Sequence, residues 1–175
     1  MPRLRTVTDS ILVAAAPAAV YAVVSDPTRT PEFSPENRGA RTGSTGSLPV
    51  GAVFTGDNER RGFRWITECV VTAADPGARF AFRVRAIGGA RRRLRTGIAS
   101  WEHRLEPVTL PDGTAGTRVT QTWTDERRMP DPVATVFDAV ATRGPFADFQ
   151  RRNLATSLHR LKTLLEGPAA AEPTA

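Results

Sequence analysis

Leucine recurs at positions 154, 158, 161 and 165, at steps of four, three and four. That is the spacing of one helical face, and it predicts a helix from about Gly144 to Glu166. Pro145 and Phe146 open it, because proline is tolerated in a first turn, and Gly167-Pro168 close it. Such a helix is roughly 33 Å long and needs one large apolar surface to lie on. Gln150 and Ser157 fall inside the leucine stripe, with Phe146 beside them. Polar groups in an apolar face must meet a partner, water or a ligand. The helix is therefore expected to close over a cavity, with Gln150 and Ser157 projecting into it.

The rest of the chain supplies the surface. Val7 to Ala14 is β-branched enough for a strand, and Ala16-Pro17 starts a short helix with Val20, Tyr21, Val23 and Val24 inward. Ser25-Asp26-Pro27 ends that helix, since the residue before proline is pushed out of the α region. Thr28 to Phe33 forms a further helical turn. A weak strand lies within Asn37 to Ser47, and a short one around Val53 to Asp57.

Alternation then becomes clear. Phe63 to Ala73 puts Phe63, Trp65, Thr67, Cys69 and Val71 on one face. Asp75-Pro76-Gly77 turns the chain. Arg79 to Ala86 sets Phe80, Phe82 and Val84 against arginines. Gly88 to Arg95 reads as a loop with Arg91, Arg92 and Arg93 at its centre. Gly97 to Glu106 places Ala99, Trp101, His103 and Leu105 together; Thr117 to Asp125 places Val119, Gln121 and Trp123 together. Pro132 to Thr142 is a short helix carrying Val133, Val136, Phe137 and Val140. The fold class is thus α+β. A curved antiparallel sheet of about seven strands, polar on one side, is covered on the other by the long helix, with two short helices after the first strand. Residues 1–166 form one domain, and 167–175 a disordered tail.

Composition excludes several classes. No apolar run approaches the ~20 residues of a membrane span, and the first residues lack a signal-peptide pattern. A cytoplasmic protein without stable membrane insertion is expected. The single cysteine, Cys69, excludes an internal disulfide or a multi-thiolate zinc site. The net charge is +6, with Lys162 the only lysine. With abundant Ala, Pro and Gly, this matches a GC-rich bacterial coding sequence better than a nucleic-acid surface. There is no glycine-rich phosphate loop and no nucleophile elbow. Neither metal nor cofactor is expected, and no nucleic-acid partner; a homodimer is possible.

Ser10-Ile11-Leu12-Val13 through Ala16-Pro17, Val20-Tyr21 and Ser25-Asp26-Pro27 to Pro31-Glu32-Phe33-Ser34-Pro35 resembles the opening of helix-grip proteins. Trp101 with Glu106-Pro107, and Gly116-Thr117-Arg118-Val119-Thr120, resemble the same group. This is the START-like and pollen-allergen-like superfamily (SRPBCC), in its bacterial polyketide cyclase/dehydrase-like branch. The resemblance spans Val7 to about Glu166. It implies a sheet gripping a C-terminal helix around an apolar pocket. It brings no catalytic motif that transfers residue by residue.

The expected ligand-lining set is Phe33, Trp65, Thr67, Phe80, Phe82, Ala99, Trp101, His103, Gln121, Trp123, Phe146, Gln150 and Ser157. His103 is the candidate general acid/base, its ordinary pKa lying near neutrality; a structural core histidine is the competing reading. Cys69 reads as an inert buried thiol. The function expected is binding of a mainly apolar, polyketide- or lipid-like small molecule. The alternatives are a polyketide cyclase/dehydrase of aromatase type, and a toxin-like or quinone-handling interaction module.

Overall fold

The structure is a computed structural model that describes residues 3–89 and 93–167. In chain order it contains β1 (Thr6–Val13), α1 (Pro17–Val24), a 3-10 turn (Pro27–Arg29), α2 (Thr30–Phe33), β2 (Asn37–Arg41) and β3 (Val53–Arg60). There follow β4 (Phe63–Asp75), β5 (Arg79–Gly88), β6 (Arg93–Thr109), β7 (Ala115–Asp125), α3 (Asp131–Thr142) and α4 (Phe146–Glu166). The seven strands form one antiparallel sheet in the order β1-β7-β6-β5-β4-β3-β2. Each strand from β2 to β7 pairs with its sequence neighbour, and β1 closes the far edge against β7. The sheet curls at irregularities in register between Glu68 and Cys69, Val71 and Ala73, and Val84 and Ala86; extra residues of this kind bend a strand and raise its twist.

Helix α4 lies in the hollow of the sheet, nearest β1, β7 and α2. Its contacts divide along its length. Ala147 and Leu154 pack with Val7, Ala99 and Trp123; Leu158 and Leu161 pack with Val13, Val20, Phe80, Leu105 and Val119. The end of α4 is fastened to the β1 edge by polar bonds. The Ala14 amide donates to the Glu166 carboxylate, and Lys162 Nζ donates to the Leu12 carbonyl at 2.7 Å. Gly116 permits a close crossing here, since a Cβ on it would sit 2.7 Å from the Val13 carbonyl oxygen.

Two sequence expectations are corrected, and the direction of the α3 stripe is new. The β5–β6 loop is shorter than Gly88 to Arg95, because the ladder continues through Ala86–Arg95, Ile87–Leu94 and Gly88–Arg93. Phe63 does not share the buried face of its strand. It pairs with Arg60 at the hairpin tip, is 71% exposed and stacks on Trp65 at 6.0 Å. The apolar stripe of α3 faces outward, while Ala134, Asp138 and Thr142 are buried. Arg91, Arg92 and the tail beyond Gly167 lie outside the described residues.

Candidate ligand site

Strand register sorts the inner face into rows, because directly opposed residues share a face. One row is aromatic: Val7, Trp123, Trp101 and Phe82 stand side by side on β1, β7, β6 and β5. Trp101 and Phe82 stack at 5.7 Å, only 14° from parallel. The next row is Asp9, Gln121, His103 and Phe80. The row after that is aliphatic, with Ile11, Val119 and Leu105. A polar row is therefore held between an aromatic and an aliphatic one.

The polar row is closed over from above. Phe33 on α2 meets the His103 ring edge-to-face at 6.3 Å. Phe146, in the first turn of α4, stacks on Trp123 at 5.6 Å. Gln150 and Ser157 are 3% and 6% exposed on the buried side of α4, and neither side chain forms a hydrogen bond among the described residues. Ser157 differs here from Thr156 and Thr163, whose hydroxyls donate to the carbonyls four residues earlier.

Three buried polar atoms in these rows have no partner: His103 Nδ1, Gln121 Oε1 and Trp123 Nε1. Burial pushes the His103 imidazole down to about 4, with Glu102 pulling weakly the other way. His103 is thus neutral at physiological pH. An orphaned buried polar atom costs about 1–3 kcal/mol. The three lie on neighbouring positions of the inner face.

Closure is uneven. Trp123 is 1% exposed, whereas Trp101 and Phe82, farther along the same row, are only half-buried. On the inner face, Asp9 and Ile11 of β1 are also half-buried, and Phe80 and Val84 of β5 are buried. Thr67 is already served, taking a hydrogen bond from Asn58 Nδ2 at 3.2 Å. Ala99, at 2% exposed, packs in the Leu154 cluster. Trp65 stands apart from the polar row. The Arg60 guanidinium lies 5.4 Å from its ring, and Trp65 borders an open cleft of about 670 Å³ with Arg38, Asp57, Asn58 and Arg64. A second cleft, of about 350 Å³, lies against Thr72, Arg83, Ser100 and Thr122 on the outer face. Cys69 is 2% exposed, and burial pushes its thiol up to about 12, which leaves it unreactive.

Sequence reasoning missed Asp9. Its signal was present, since it falls on the alternation of Val7, Ile11 and Val13. Its Oδ1 accepts the Ser10 amide at 2.8 Å. Also missed was a buried ionic cluster at the α3–α4 corner. Arg127 Nη2 donates to Asp125 Oδ2 and Nη1 to Asp138 Oδ1, both at 2.7 Å. The Arg127 guanidinium also lies 5.0 Å from the Phe146 ring. Among the described residues, no group of three or more His, Cys, Asp or Glu could hold a metal ion, and no helix is long and apolar enough to cross a membrane.

A curled antiparallel sheet gripping a long C-terminal helix, with an aromatic and polar inner face, defines a helix-grip protein of the START-like class. Residues 5–166 match the family described as polyketide cyclase/dehydrase and lipid transport, and the chain belongs to that family. A polyketide-cyclase-like protein of Corynebacterium glutamicum is similar at 30% identity and TM-score 0.55, over 95% of this chain and 94% of that one. A START superfamily protein of Mycobacterium smegmatis superposes with TM-score 0.65 at 16% identity, over 93% and 98% of the two chains. The major latex-like protein 151 of Panax ginseng does so with TM-score 0.59 at 12% identity, over 91% and 96%. The last two show the fold alone. No curated protein matches the sequence significantly.

Proposed function

We propose that the chain binds a mainly apolar small molecule carrying one or two oxygen functions, between the inner face of the sheet and α4. The observation that carries this is the group of unpartnered atoms on Trp123, Gln121 and His103 within an otherwise apolar wall. Trp123 Nε1 only donates, so it calls for a carbonyl, ether or hydroxyl oxygen. The stacked Trp101–Phe82 pair offers a flat surface to a planar skeleton. Gln150 and Ser157 set the polarity of the roof. A polyketide-like or lipid-like molecule has this chemistry, and the family description is in keeping with it.

Binding without turnover is preferred to the cyclase alternative. Cyclisation needs a proton acceptor near neutral pH. His103, held at about 4, is a poor base there. The family's cyclase and dehydrase members keep that alternative in view, and turnover of a poly-β-keto substrate analogue would establish it. An interaction module has no specific observation in its favour.

The test is a matched pair of probes read by tryptophan fluorescence: 2-acetylnaphthalene and 2-ethylnaphthalene, which differ in the oxygen. The wild-type chain is expected to prefer the ketone by about tenfold, the worth of one hydrogen bond to a buried site. Trp123→Phe, which removes the donor, should erase the preference while retaining hydrocarbon binding, and Gln121→Leu, which removes an acceptor that a ketone cannot use, should leave it. Equal affinities in the wild type, or no binding of either probe, would refute the reading.

A further inference from the structure

Helix α3 is inverted relative to a helix of a soluble domain. Val133, Val136, Phe137 and Val140 recur at steps of three, one and three, which makes one stripe. They are 57%, 68%, 52% and 82% exposed. The opposite side, normally the apolar one, holds Ala134, Asp138 and Thr142. That side is fixed. Asp138 accepts from Arg127 at 2.7 Å and from the Phe146 amide at 3.3 Å, and Thr142 donates to the Asp138 and Gly144 carbonyls. The helix cannot roll over to hide its stripe without breaking these bonds.

Among the described residues, the charge left unpaired around the stripe has one sign. Both acidic residues of α3 are engaged: Asp131 lies 3.6 Å from Arg3, and Asp138 is held by Arg127. Arg128 before the helix and Arg143 at its C-cap are exposed and form no ion pair among the described residues. Arg60 Nη1 donates to the Ala141 carbonyl, which joins the C-terminal end of α3 to the β3–β4 hairpin. That hairpin adds exposed Arg61 at its turn and exposed Phe63 beside it.

We infer that α3 and the β3–β4 hairpin tip form a peripheral docking surface for an anionic lipid bilayer, the stripe entering the headgroup boundary and the flanking arginines meeting lipid phosphates. An outward apolar stripe with arginine ends and, among the described residues of the helix, no unpaired acid matches an interfacial helix. A second copy of the chain fits less well. Two such faces would set exposed arginines of one sign against each other, which costs a self-complementary interface. The inference is independent of what the hollow binds. It also goes beyond the expected absence of stable insertion, since the helix lies on the membrane rather than across it.

The test is flotation of the full chain with vesicles of phosphatidylcholine alone, or with about one-third phosphatidylglycerol. Binding is expected only to the anionic vesicles. Val136→Glu with Val140→Glu should weaken it at least about tenfold, and Arg128→Gln with Arg143→Asn should weaken it and flatten its salt dependence. All four positions are exposed, and a far-UV circular dichroism spectrum confirms that each variant is folded. Equal binding to neutral vesicles, no binding to either, or binding unmoved by the valine substitutions would overturn the inference. A dimer that dissociates on the valine substitutions while vesicles stay unbound would overturn it in favour of a second copy. Because no ligand is used, failure here leaves the probe experiment on Gln121 and Trp123 unaffected.

Discussion

Helices α3 and α4 are neighbours in the chain, separated by Arg143, Gly144 and Pro145, and both carry an apolar stripe. They use it in opposite ways. The α4 stripe is buried, with Leu154, Leu158 and Leu161 each at 2% or less. The α3 stripe is more than half exposed throughout, and an ionic cluster occupies its buried side. The difference lies in the available partners. The sheet has one concave face; α4 covers it near β1 and β7, α1 lies mainly on β6, and α2 lies between α4 and β2. Helix α3 sits at the rim, where Arg127 and Asp125 already stand. The hydrogen-bonding needs of a buried arginine then outweigh the burial of four apolar side chains.

Substitutions at Arg127 test this contrast most severely. Arg127→Ala strands Asp138 and weakens the hold on Asp125, both buried, and should cost about 3–5 kcal/mol in urea unfolding. An effect below about 1 kcal/mol would mean that α3 is not anchored by charge. Next come matched truncations of the two stripes. Leu158→Ala should cost about 2–5 kcal/mol, through lost transfer energy and a cavity. Val136→Ala should stay within about 0.5 kcal/mol, as surface changes do. Comparable losses at the two sites would place the α3 stripe in a hidden contact.

His103 gives a pH signature of the polar row. Its folded pKa of about 4 lies below the ordinary 6.5. The unfolded chain therefore binds the proton more readily than the folded one. The contribution is fully present above about pH 6.5, declines as pH falls through the window down to about 4, and amounts at most to about 3 kcal/mol. Unfolding free energies measured across that window should show the slope, and His103→Leu should remove it. The smallest effect is expected at Ser157. Ser157→Leu should leave the fold intact and weaken binding of the naphthyl probes severalfold, by filling space beneath α4. Unchanged affinity would place the bound molecule away from the helix.

Much of the fold was legible in the linear sequence. The Leu154 to Leu165 stripe, the Asp75-Pro76-Gly77 turn and the alternation around Phe80, Trp101 and Trp123 each depend on a few adjacent residues, and the elements follow. So does the side on which His103 and Gln121 lie, because alternation within a strand is local. What the sequence left open depends on pairings between distant residues. That Asp9, Gln121 and His103 fall in one row requires the registers of β1 with β7 and of β7 with β6. A shift of one residue in either would have dispersed them. Phe63 follows the same alternation as Cys69, yet it ends in solvent because it stands opposite Arg60 at the tip of the β3–β4 hairpin. The direction of the α3 stripe is the plainest case. Periodicity determines that a helix has an apolar side. Only the tertiary structure, by bringing Arg127 against Asp138, decided that this side faces out, because a buried guanidinium must have its carboxylates and a valine can do without a neighbour.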